Sequence, residues 1–314
     1  MKIAILGATS EIAKDLILSF FTRSTTDLVL YSRNPTLMEV WCKKVGIQER
    51  YLSSHYQSLD NDGPYDAVIN FVGSGNPARI LAMGSTIFNI NQQYDDMVFS
   101  YLQKYPTCRY LYMSSGVAYG TNFEVPVNQE TRAEININNF HAQDFYSFSK
   151  LYSEGRHRLL REFFIVDIRI FNYFSKTQDL SSRFLISDIM RSILDKTLLQ
   201  TSGDNIVRDF LNPSDFYQLV SAILCAQPTN AVVDAYTLSP VSKIELLEAM
   251  KNNFGLRYMV SESNTSINAT GTKPCYYSLN RRAKDFGYSP AFTSLGGILQ
   301  EANEVLNKNN IPGP

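Results

Sequence analysis

Residues 2–13, KIAILGATSEIA, set a short apolar run directly before a glycine and the start of a helical pattern. A strand that passes through a tight glycine turn into a helix can hold a dinucleotide pyrophosphate at the helix N-terminus. Such turns usually carry three glycines, whereas here Gly7 is followed by Ser10 and Ala13 at the second and third places. Both are small, so the segment predicts either a variant cofactor turn or a plain strand-to-helix connection.

The first half of the chain repeats this alternation of apolar runs and helical patterns. The predicted strands are KIAILGA, DLVLYSR, YDAVINFVG, RYLYMSSG and FIVDIRIFN, and helices are predicted over 11–21, 87–104 and 146–162. Continuously apolar strands that alternate with helices are typical of a parallel sheet covered on both faces. We therefore expect an α/β fold with a doubly wound parallel sheet of the Rossmann type, whose ligands lie beyond the carboxyl ends of the strands.

The pattern changes after about residue 175. Helices are predicted over 183–198, 214–225, 243–253 and 295–307, with short strands and turn-rich loops between them. We expect residues 1–175 to form the dinucleotide-binding domain and residues 176–314 a smaller α/β substrate-binding domain. The chain is expected to cross between the two, as chains of this architecture do.

Composition excludes several classes of partner. The 314 residues carry 29 Lys and Arg against 30 Asp and Glu, a formal net charge of -1, so no global charge attracts nucleic acid or a membrane surface. No run of about eighteen apolar residues occurs, and strand-like residues begin at Lys2, so we expect a cytoplasmic protein without an export segment. The four cysteines form no CxxC pair, so we expect scattered thiols and no metal site.

The end of the second predicted strand bears on the choice of cofactor. NAD-binding sheets usually place an acidic residue there for the adenosine ribose, whereas this chain has Ser32 and Arg33. An arginine suits a 2′-phosphate, so the pair favours NADP(H), although NAD(H) is possible. The alternative is a solvated Arg33 that opens the turn at Asn34 and Pro35.

A second set of residues points to proton transfer. Tyr146 and Lys150 are four residues apart on a predicted helix, so they share a face on which the ammonium can stabilise a phenolate. An unperturbed tyrosine has a pKa of about 10 and is a poor acid and base at neutral pH without such help. Ser115, at the end of a predicted strand, can hydrogen-bond a substrate carbonyl or alkoxide.

Together these features resemble the extended short-chain dehydrogenase/reductases, which include nucleotide-sugar epimerases, dehydratases and reductases. The resemblance covers nearly the whole chain. It is carried by GATSEIA, DAVINFVG, SSGVAYG, YSFSK, RIFNYFS, VRDFLNPSD and NRRAKDFGYSP. The last two motifs are the more discriminating, because simple short-chain enzymes lack the second domain that carries them.

The resemblance implies a role for each matching residue. Tyr146 becomes the general acid/base, Lys150 lowers the pKa of that tyrosine and holds the nicotinamide ribose, and Ser115 orients the reacting sugar oxygen. The implied cofactor contacts are Gly7, Thr9, Ser10, Glu11, Ile12, Ser32, Arg33, Val72, Asn91, Tyr146 and Lys150. The implied substrate contacts are Ser115, Asn172, Arg208 and, less closely matched, Lys273, with the arginine on the substrate diphosphate. An ion pair between Arg208 and Asp209 is the alternative for that arginine.

Departures from the family pattern narrow the chemistry. Gly116 and Val117 stand where 4,6-dehydratases carry an Asp-Glu pair, so dehydration is not expected. We expect an NADP(H)-dependent reductase of a nucleotide-activated keto sugar, for example a 4-keto-6-deoxy sugar. A nucleotide-sugar 4-epimerase with tightly bound NAD uses the same residues and is the first alternative. A non-catalytic NADP(H)-sensing protein is the second, because two turn glycines are missing. The family also implies a homodimer that pairs the helices around 91–104 and 146–162.

Overall fold

The computed structural model describes residues 1–73, 75, 77–141, 144–182, 184–261 and 273–309. Its strands are β1 (Lys2–Leu6), β2 (Asp27–Ser32), β3 (Leu52–His55), β4 (Ala67–Asn70), β5 (Arg109–Ser115), β6 (Phe164–Ile170), β7 (Asn172–Tyr173), β8 (Leu198–Ser202), β9 (Val207–Arg208), β10 (Phe210–Leu211), β11 (Ala231–Asp234), β12 (Val241–Ser242), β13 (Arg257–Ser261) and β14 (Cys275–Tyr276). Its α-helices are α1 (Glu11–Arg23), α2 (Pro35–Val45), α3 (Leu59–Asp62), α4 (Pro77–Met83), α5 (Thr86–Lys104), α6 (Asp144–Leu159), α7 (Leu185–Leu194), α8 (Pro213–Cys225), α9 (Lys243–Phe254) and α10 (Ser294–Asn309).

Seven parallel strands form the central sheet in the order β11-β6-β5-β4-β1-β2-β3. The chain runs outward from β1 through β2 to β3 and then returns to β4 on the other side of β1. The topological switch point therefore lies between β1 and β4, where ligands of doubly wound sheets bind. The predicted doubly wound parallel sheet of the Rossmann type is confirmed.

Alternation along each strand builds a core on both faces of this sheet. Ile3 and Ile5 of β1 pack with α1 and α8, whereas Ala4 and Leu6 face the opposite layer with α5. These four side chains are fully buried. A strand buried on both faces needs apolar residues at every position, which explains the unbroken runs in the sequence.

Local signals fix where several helices begin. A polar side chain caps the first turn of α1, α2, α8 and α9, in each case accepting a backbone N–H three residues on; the capping residues are Ser10, Asn34, Asn212 and Ser242. Proline at the first position of α2 and α8 and left-handed glycines after α2 and α9 reinforce these boundaries.

The second half of the chain builds a smaller layer and also returns to the first. Strands β9, β12 and β14 form one small sheet, and α7, α9 and α10 share a separate apolar core. Between them, α8 packs on α1 and β11 joins the central sheet beside β6. Residues 213–234 therefore belong with the first sheet although they follow residue 175.

Two parts of the sequence-based description need correction. The chain contains α2 and β3, which were not among the predicted elements, because Asn34 and Pro35 at the start of α2 were interpreted as a turn and β3 is only partly buried. The helix expected over 183–198 is shorter and ends at Leu194, since Lys196 turns with φ 54° into β8, which pairs with β13. Its expected first residue, Arg183, lies outside the described residues. Within the described ranges, no helix has the length and apolar composition needed to cross a membrane.

Candidate active site

The glycine turn after β1 is fitted to the close approach of two backbone segments. Gly7 has φ +72°, and a Cβ there would lie 2.8 Å from the carbonyl carbon of Phe71 and 2.9 Å from the nitrogen of Val72. Only glycine meets both conditions. Ser10 caps α1, because its Oγ accepts the Ala13 N–H at 3.2 Å. The start of α1 therefore lies at the switch point with its amide donors directed along the helix axis, as a pyrophosphate site requires.

The other residues implied in that turn take different surroundings. Thr9 and Glu11 are exposed and Ile12 is half-buried. The Glu11 carboxylate accepts the backbone N–H of Asp179 at 3.0 Å, which ties the first turn of α1 to the segment that enters the second layer. Partial desolvation of the carboxylate beside this segment raises the pKa of Glu11, against this hydrogen bond.

The end of β2 presents a buried hydroxyl beside an exposed cation. Ser32 is 1% exposed, and its Oγ has no hydrogen-bond partner within the described part of the chain, while Arg33 is exposed. Buried polar atoms without partners are rare and mark positions that a ligand can satisfy. The pair fits an adenosine ribose with or without a 2′-phosphate.

The side-chain amides of Asn70 and Asn91 lie deeper in the same crevice. The Val72 N–H donates to Asn70 Oδ1 at 2.8 Å, which fixes the backbone after β4 beside the glycine turn. Asn91 donates through Nδ2 to Ser149 Oγ at 2.7 Å, whereas its buried Oδ1 finds no partner among the described residues. With Gly7 and Ser32, this free acceptor makes the crevice suited to a dinucleotide.

Three hydroxyl groups come together beyond the end of β5. Ser115 ends β5, Tyr146 lies in the first turns of α6, and Tyr276 ends β14; Ser115 Oγ is 3.3 Å from the Tyr276 hydroxyl. Burial raises the pKa of Tyr146 to about 12, and a hydrogen bond with Ser115 partly opposes this rise. Tyr146 is therefore a protonated phenol at neutral pH.

Lys150 lies one turn after Tyr146 but is directed at other partners. Its Nζ donates to the Met113 carbonyl at 2.7 Å and to the Tyr112 hydroxyl at 3.1 Å. The ammonium lies 4.4 Å from the centroid of the Tyr112 ring and 5.9 Å from that of Tyr146. Burial lowers the pKa of Lys150 to about 8, against the raising effect of Asp95, Glu154 and Asp167.

Two cations stand on the far side of Tyr276. Arg208 is 5% exposed and donates to the carbonyls of Val207 at 2.9 Å and Lys273 at 2.6 Å. Its Nη2 has no partner among the described residues. Burial lowers the pKa of Arg208 to about 10, and burial together with Arg208 lowers the pKa of Lys273 to about 8. Two desolvated cations side by side form an electrostatic site for an anion.

Asp209 does not neutralise this pair. Its carboxylate accepts the N–H of Thr237 at 3.1 Å and the hydroxyls of Thr237 at 2.5 Å and Ser294 at 2.8 Å. The alternative of a structural ion pair between Arg208 and Asp209 is therefore not the arrangement found. Asn172 links the segments that carry Asp209 and Tyr276, because its Nδ2 donates to the backbone carbonyls of Asp209 at 3.3 Å and Tyr276 at 3.4 Å.

Tyr276 is the site residue that the sequence did not single out. It is 5% exposed, its ring lies 4.7 Å from Lys273 Nζ, and its hydroxyl meets Ser115. It therefore joins the cationic side of the site to the hydroxyl side. The CYY segment just after Lys273 was the available signal, but it did not stand out in a chain with 19 tyrosines.

The candidate site is built from organic side chains. Among the residues that the structure describes, no group of three or more His, Cys, Asp or Glu is arranged to hold a metal ion.

A parallel sheet with a glycine turn at its switch point, and a serine, tyrosine and lysine at the end of a neighbouring strand, defines a Rossmann-type dinucleotide-binding protein. The chain belongs to the NAD dependent epimerase/dehydratase family, whose model matches residues 3–238. The resemblance inferred from the sequence is thus confirmed.

Solved structures of similar fold include three with cofactor or sugar nucleotide bound. UDP-glucose 4-epimerase from Bifidobacterium longum, in complex with NAD+ and UDP, is 17% identical, with a TM-score of 0.77 over 98% of this chain and 99% of that one. UDP-glucuronic acid 4-epimerase from Bacillus cereus, in complex with UDP-glucuronic acid and NAD, is 15% identical, with a TM-score of 0.76 over 98% and 100%.

dTDP-glucose 4,6-dehydratase from Bacillus anthracis, in complex with NAD, is 14% identical, with a TM-score of 0.76 over 98% of this chain and 97% of that one. At these identities the likeness is one of fold. None of the curated proteins matches the sequence.

Proposed function

We propose that the protein is an NADP(H)-dependent reductase of a nucleotide-activated keto sugar. The observation that carries this proposal is one site with two chemically different ends. Ser115 and Tyr146 offer hydroxyls beside Lys150 at one end, and the desolvated cations Arg208 and Lys273 lie at the other. A sugar diphosphate has the matching asymmetry, with a reacting carbonyl at one end and anionic oxygens at the other.

The cofactor is held by the crevice described above. The Gly7 turn and the start of α1 take the pyrophosphate, Ser32 and Arg33 take the adenosine ribose and its 2′-phosphate, and Asn91 and Lys150 lie at the nicotinamide end. The remaining implied contacts are Thr9, Ser10, Glu11, Ile12, Val72 and Tyr146. When bound, a reduced nicotinamide supplies hydride to a carbonyl carbon.

Tyr146 provides the proton in the reductive direction. Its phenol carries a proton at neutral pH, although burial raises its pKa to about 12 and so makes it a weaker donor to a keto oxygen that gains negative charge. Ser115 holds the same oxygen in position. Movement of Lys150 from Tyr112 towards Tyr146 would stabilise the phenolate that remains after proton transfer.

The diphosphate is placed at Arg208 and Lys273. An anion there satisfies the free Nη2 of Arg208 and relieves the repulsion that lowers the pKa of Lys273. Asn172 is then at the junction of the sugar and the cofactor. Bidentate guanidinium contacts give this end directional selectivity as well as charge.

The direction of the reaction rests on the cofactor preference. No acidic residue ends β2, and a 2′-phosphate beside Arg33 favours a cofactor drawn from the NADPH pool. A nucleotide-sugar 4-epimerase with tightly bound NAD is the second candidate. It is favoured by the structural likeness to the UDP-sugar 4-epimerases of Bifidobacterium longum and Bacillus cereus, whose structures hold NAD.

Two measurements test the proposal. Denaturing the purified protein and identifying the released nucleotide separates the candidates, because stoichiometric NAD supports the epimerase and a site that takes up NADPH supports the reductase. Oxidation of NADPH is then followed with a panel of nucleotide keto sugars. Tyr146→Phe is expected to abolish turnover while NADPH binding stays nearly intact, and Tyr152→Phe on the same helix is the matched control. Equal turnover in Tyr146→Phe would refute the proposed role.

A further inference from the structure

Behind Lys150, a histidine is buried between two carboxylates. His157 Nδ1 lies 2.5 Å from Asp167 Oδ1, and Nε2 lies 3.0 and 3.1 Å from the two oxygens of Asp95. All three side chains are fully buried. Buried ionised groups persist only when they are paired and hydrogen-bonded, so this set is a compact cluster of charges inside the fold.

This cluster contacts Lys150 through a tyrosine. The His157 ring packs against the Tyr112 ring at 5.1 Å between centroids and 77° between planes. Tyr112 in turn accepts a hydrogen bond from Lys150 Nζ at 3.1 Å and lies under the ammonium at 4.4 Å. One aromatic ring therefore separates the imidazole from the lysine that Tyr146 needs.

The same cluster also reaches the cofactor crevice. Tyr110 donates to Asp95 Oδ1 at 2.8 Å and accepts from Asn70 Nδ2 at 2.8 Å. The other end of the Asn70 amide accepts the Val72 N–H at 2.8 Å. A continuous chain of hydrogen bonds thus links the backbone at the cofactor crevice to Asp95 and His157.

Ionisable groups from four elements surround the His157 imidazole and its two carboxylates. The ionisable groups around His157 and its carboxylates are Asp95 and Asp96 on α5; Lys150, Glu154, Arg156 and Arg158 on α6; Tyr110 and Tyr112 on β5; and Asp167 and Arg169 on β6.

Glu154 is held by Arg169 at 2.5 Å, Asp96 by Arg156 at 2.5 Å, and one Asp167 oxygen by Arg158 at 2.6 Å. His157 is the group that contacts both Asp95 and Asp167. Burial lowers the pKa of His157, but Asp167 and Asp95 outweigh that effect and raise it to about 9.

We infer that His157 is a positioning and charge-balancing residue for Lys150, acting through Tyr112 in the hydride-transfer chemistry proposed above. The positive charge of its imidazolium offsets the two carboxylates, Asp95 and Asp167, which would otherwise make Lys150 hold its proton more tightly. Because the inference rests on the proposed role of Lys150, its test needs a readout that does not depend on turnover.

That readout is the protonation of Lys150 itself. In protein labelled with ¹³C-lysine, the ε-methylene resonance of Lys150 is assigned by its loss in Lys150→Met, and its chemical shift is followed against pH. His157→Gln should raise the midpoint by roughly one pH unit, for a unit charge removed on the order of 10 Å away at an effective dielectric constant of about 20.

A second substitution separates charge from structure. The double variant Asp95→Asn with His157→Gln removes both charges and should return the midpoint towards that of the unaltered protein, which a damaged fold would not do. Asp96→Asn, an exposed carboxylate beside Asp95 in the sequence, is the matched control and should leave the midpoint unchanged. The alkaline limb of kcat/KM should move with the midpoint in each variant.

The outcomes are distinguishable. The same midpoint in all of these proteins would overturn the inference, whatever happens to their Tm. If His157→Gln does not fold, Asp95→Asn alone carries the test, because it removes one carboxylate and leaves the cluster more positive by one charge, so the midpoint should fall. Shifted midpoints in a protein that turns over no keto sugar would support the Lys150 assignment while refuting the proposed function.

Discussion

Replacing Lys273 with methionine should stabilise the protein and weaken its hold on diphosphates. The ammonium is desolvated, is repelled by Arg208, and has no carboxylate partner among the described residues. A methionine side chain keeps much of the apolar volume that the Lys273 side chain places against Phe123 and Tyr276, but it removes the charge. A residue kept in a destabilising state is expected where a ligand repays the cost.

The magnitude follows from the structure. Lowering the pKa of Lys273 from 10.5 to about 8 corresponds to about 3 kcal/mol of free energy against the charged form. The side chain is half-buried, so water screens part of this, and the cation–π contacts with two rings return about 1 kcal/mol. We therefore expect Lys273→Met to raise the free energy of unfolding by about 1–2 kcal/mol at pH 7, which is a gain in Tm of about 2–6 °C.

The effect has a defined pH dependence. Between the folded pKa of about 8 and the unfolded value of 10.5, the unfolded chain binds more protons at Lys273, so the stability of the unaltered protein rises with pH. Below pH 8 the cost of the charge is fully present. The Tm difference between Lys273→Met and the unaltered protein should therefore be largest below pH 8 and disappear towards pH 10.5.

Thermal denaturation and ligand titration check both halves of this prediction. UDP and dTDP serve as probes, with inorganic pyrophosphate as a probe that has no base, and their affinities should fall about 10–100-fold in Lys273→Met. Lys251→Met, an exposed lysine beside Glu248, is the control and should change neither quantity. A Lys273→Met protein that is less stable at pH 7 and binds the probes as well as before would refute the reasoning.

Three further changes test other parts of the molecule. Gly7→Ala should lower the free energy of unfolding by about 2 kcal/mol or more and abolish dinucleotide binding. Gly46→Ala has a similar φ of +76° but nothing within 4 Å of an added Cβ, so it should lower that free energy by only about 1 kcal/mol. Equal losses of stability in chemical denaturation would contradict the clash at Gly7. Arg33→Asp should shift the ratio of the NADPH and NADH dissociation constants by at least about tenfold towards NADH, and an unchanged ratio would exclude Arg33 from the 2′-phosphate site. Phe148→Glu, at an exposed position stacked on Phe88, should convert the expected homodimer into a monomer in gel filtration, with an unaltered elution volume counting against this surface.

The fold was predictable because its signals are local. Mostly apolar runs such as residues 67–70 and 164–170 are buried on both faces, so each can be recognised without knowing its neighbours. The strand β3 was missed because three of the four residues of LSSH are polar and the strand lies at the edge of the sheet, where it pairs with one neighbour only. Helix α2 carried usable signals in Asn34, Pro35 and Gly46, but its turn residues were interpreted as a turn alone.

The residues of the candidate site also divide into those with a local sequence signal and those without one. Tyr146 and Lys150 are linked by helical spacing, which the sequence displays directly. Tyr276 meets Ser115 across 161 positions, and His157 meets Asp95 across 62, so neither pair leaves a pattern in the sequence. A single imidazole without its partners carries no further information, so the sequence alone does not single out His157.

The serine in the opening turn shows how a departure from a motif can keep its physical purpose. The resemblance implies Ser10 as a cofactor contact, at a place where the usual glycine offers only its backbone. The structure uses that hydroxyl to accept the Ala13 N–H, which is one of the unpaired donors at the start of α1. Ser10 therefore serves the helix as an acceptor, and its O–H is still a donor for a cofactor phosphate.

The remaining amides of the first turn and the Gly7 backbone are the donors that the proposed function assigns to the pyrophosphate. At Gly7 an added Cβ would have no room against Phe71, so this glycine of the turn cannot be exchanged.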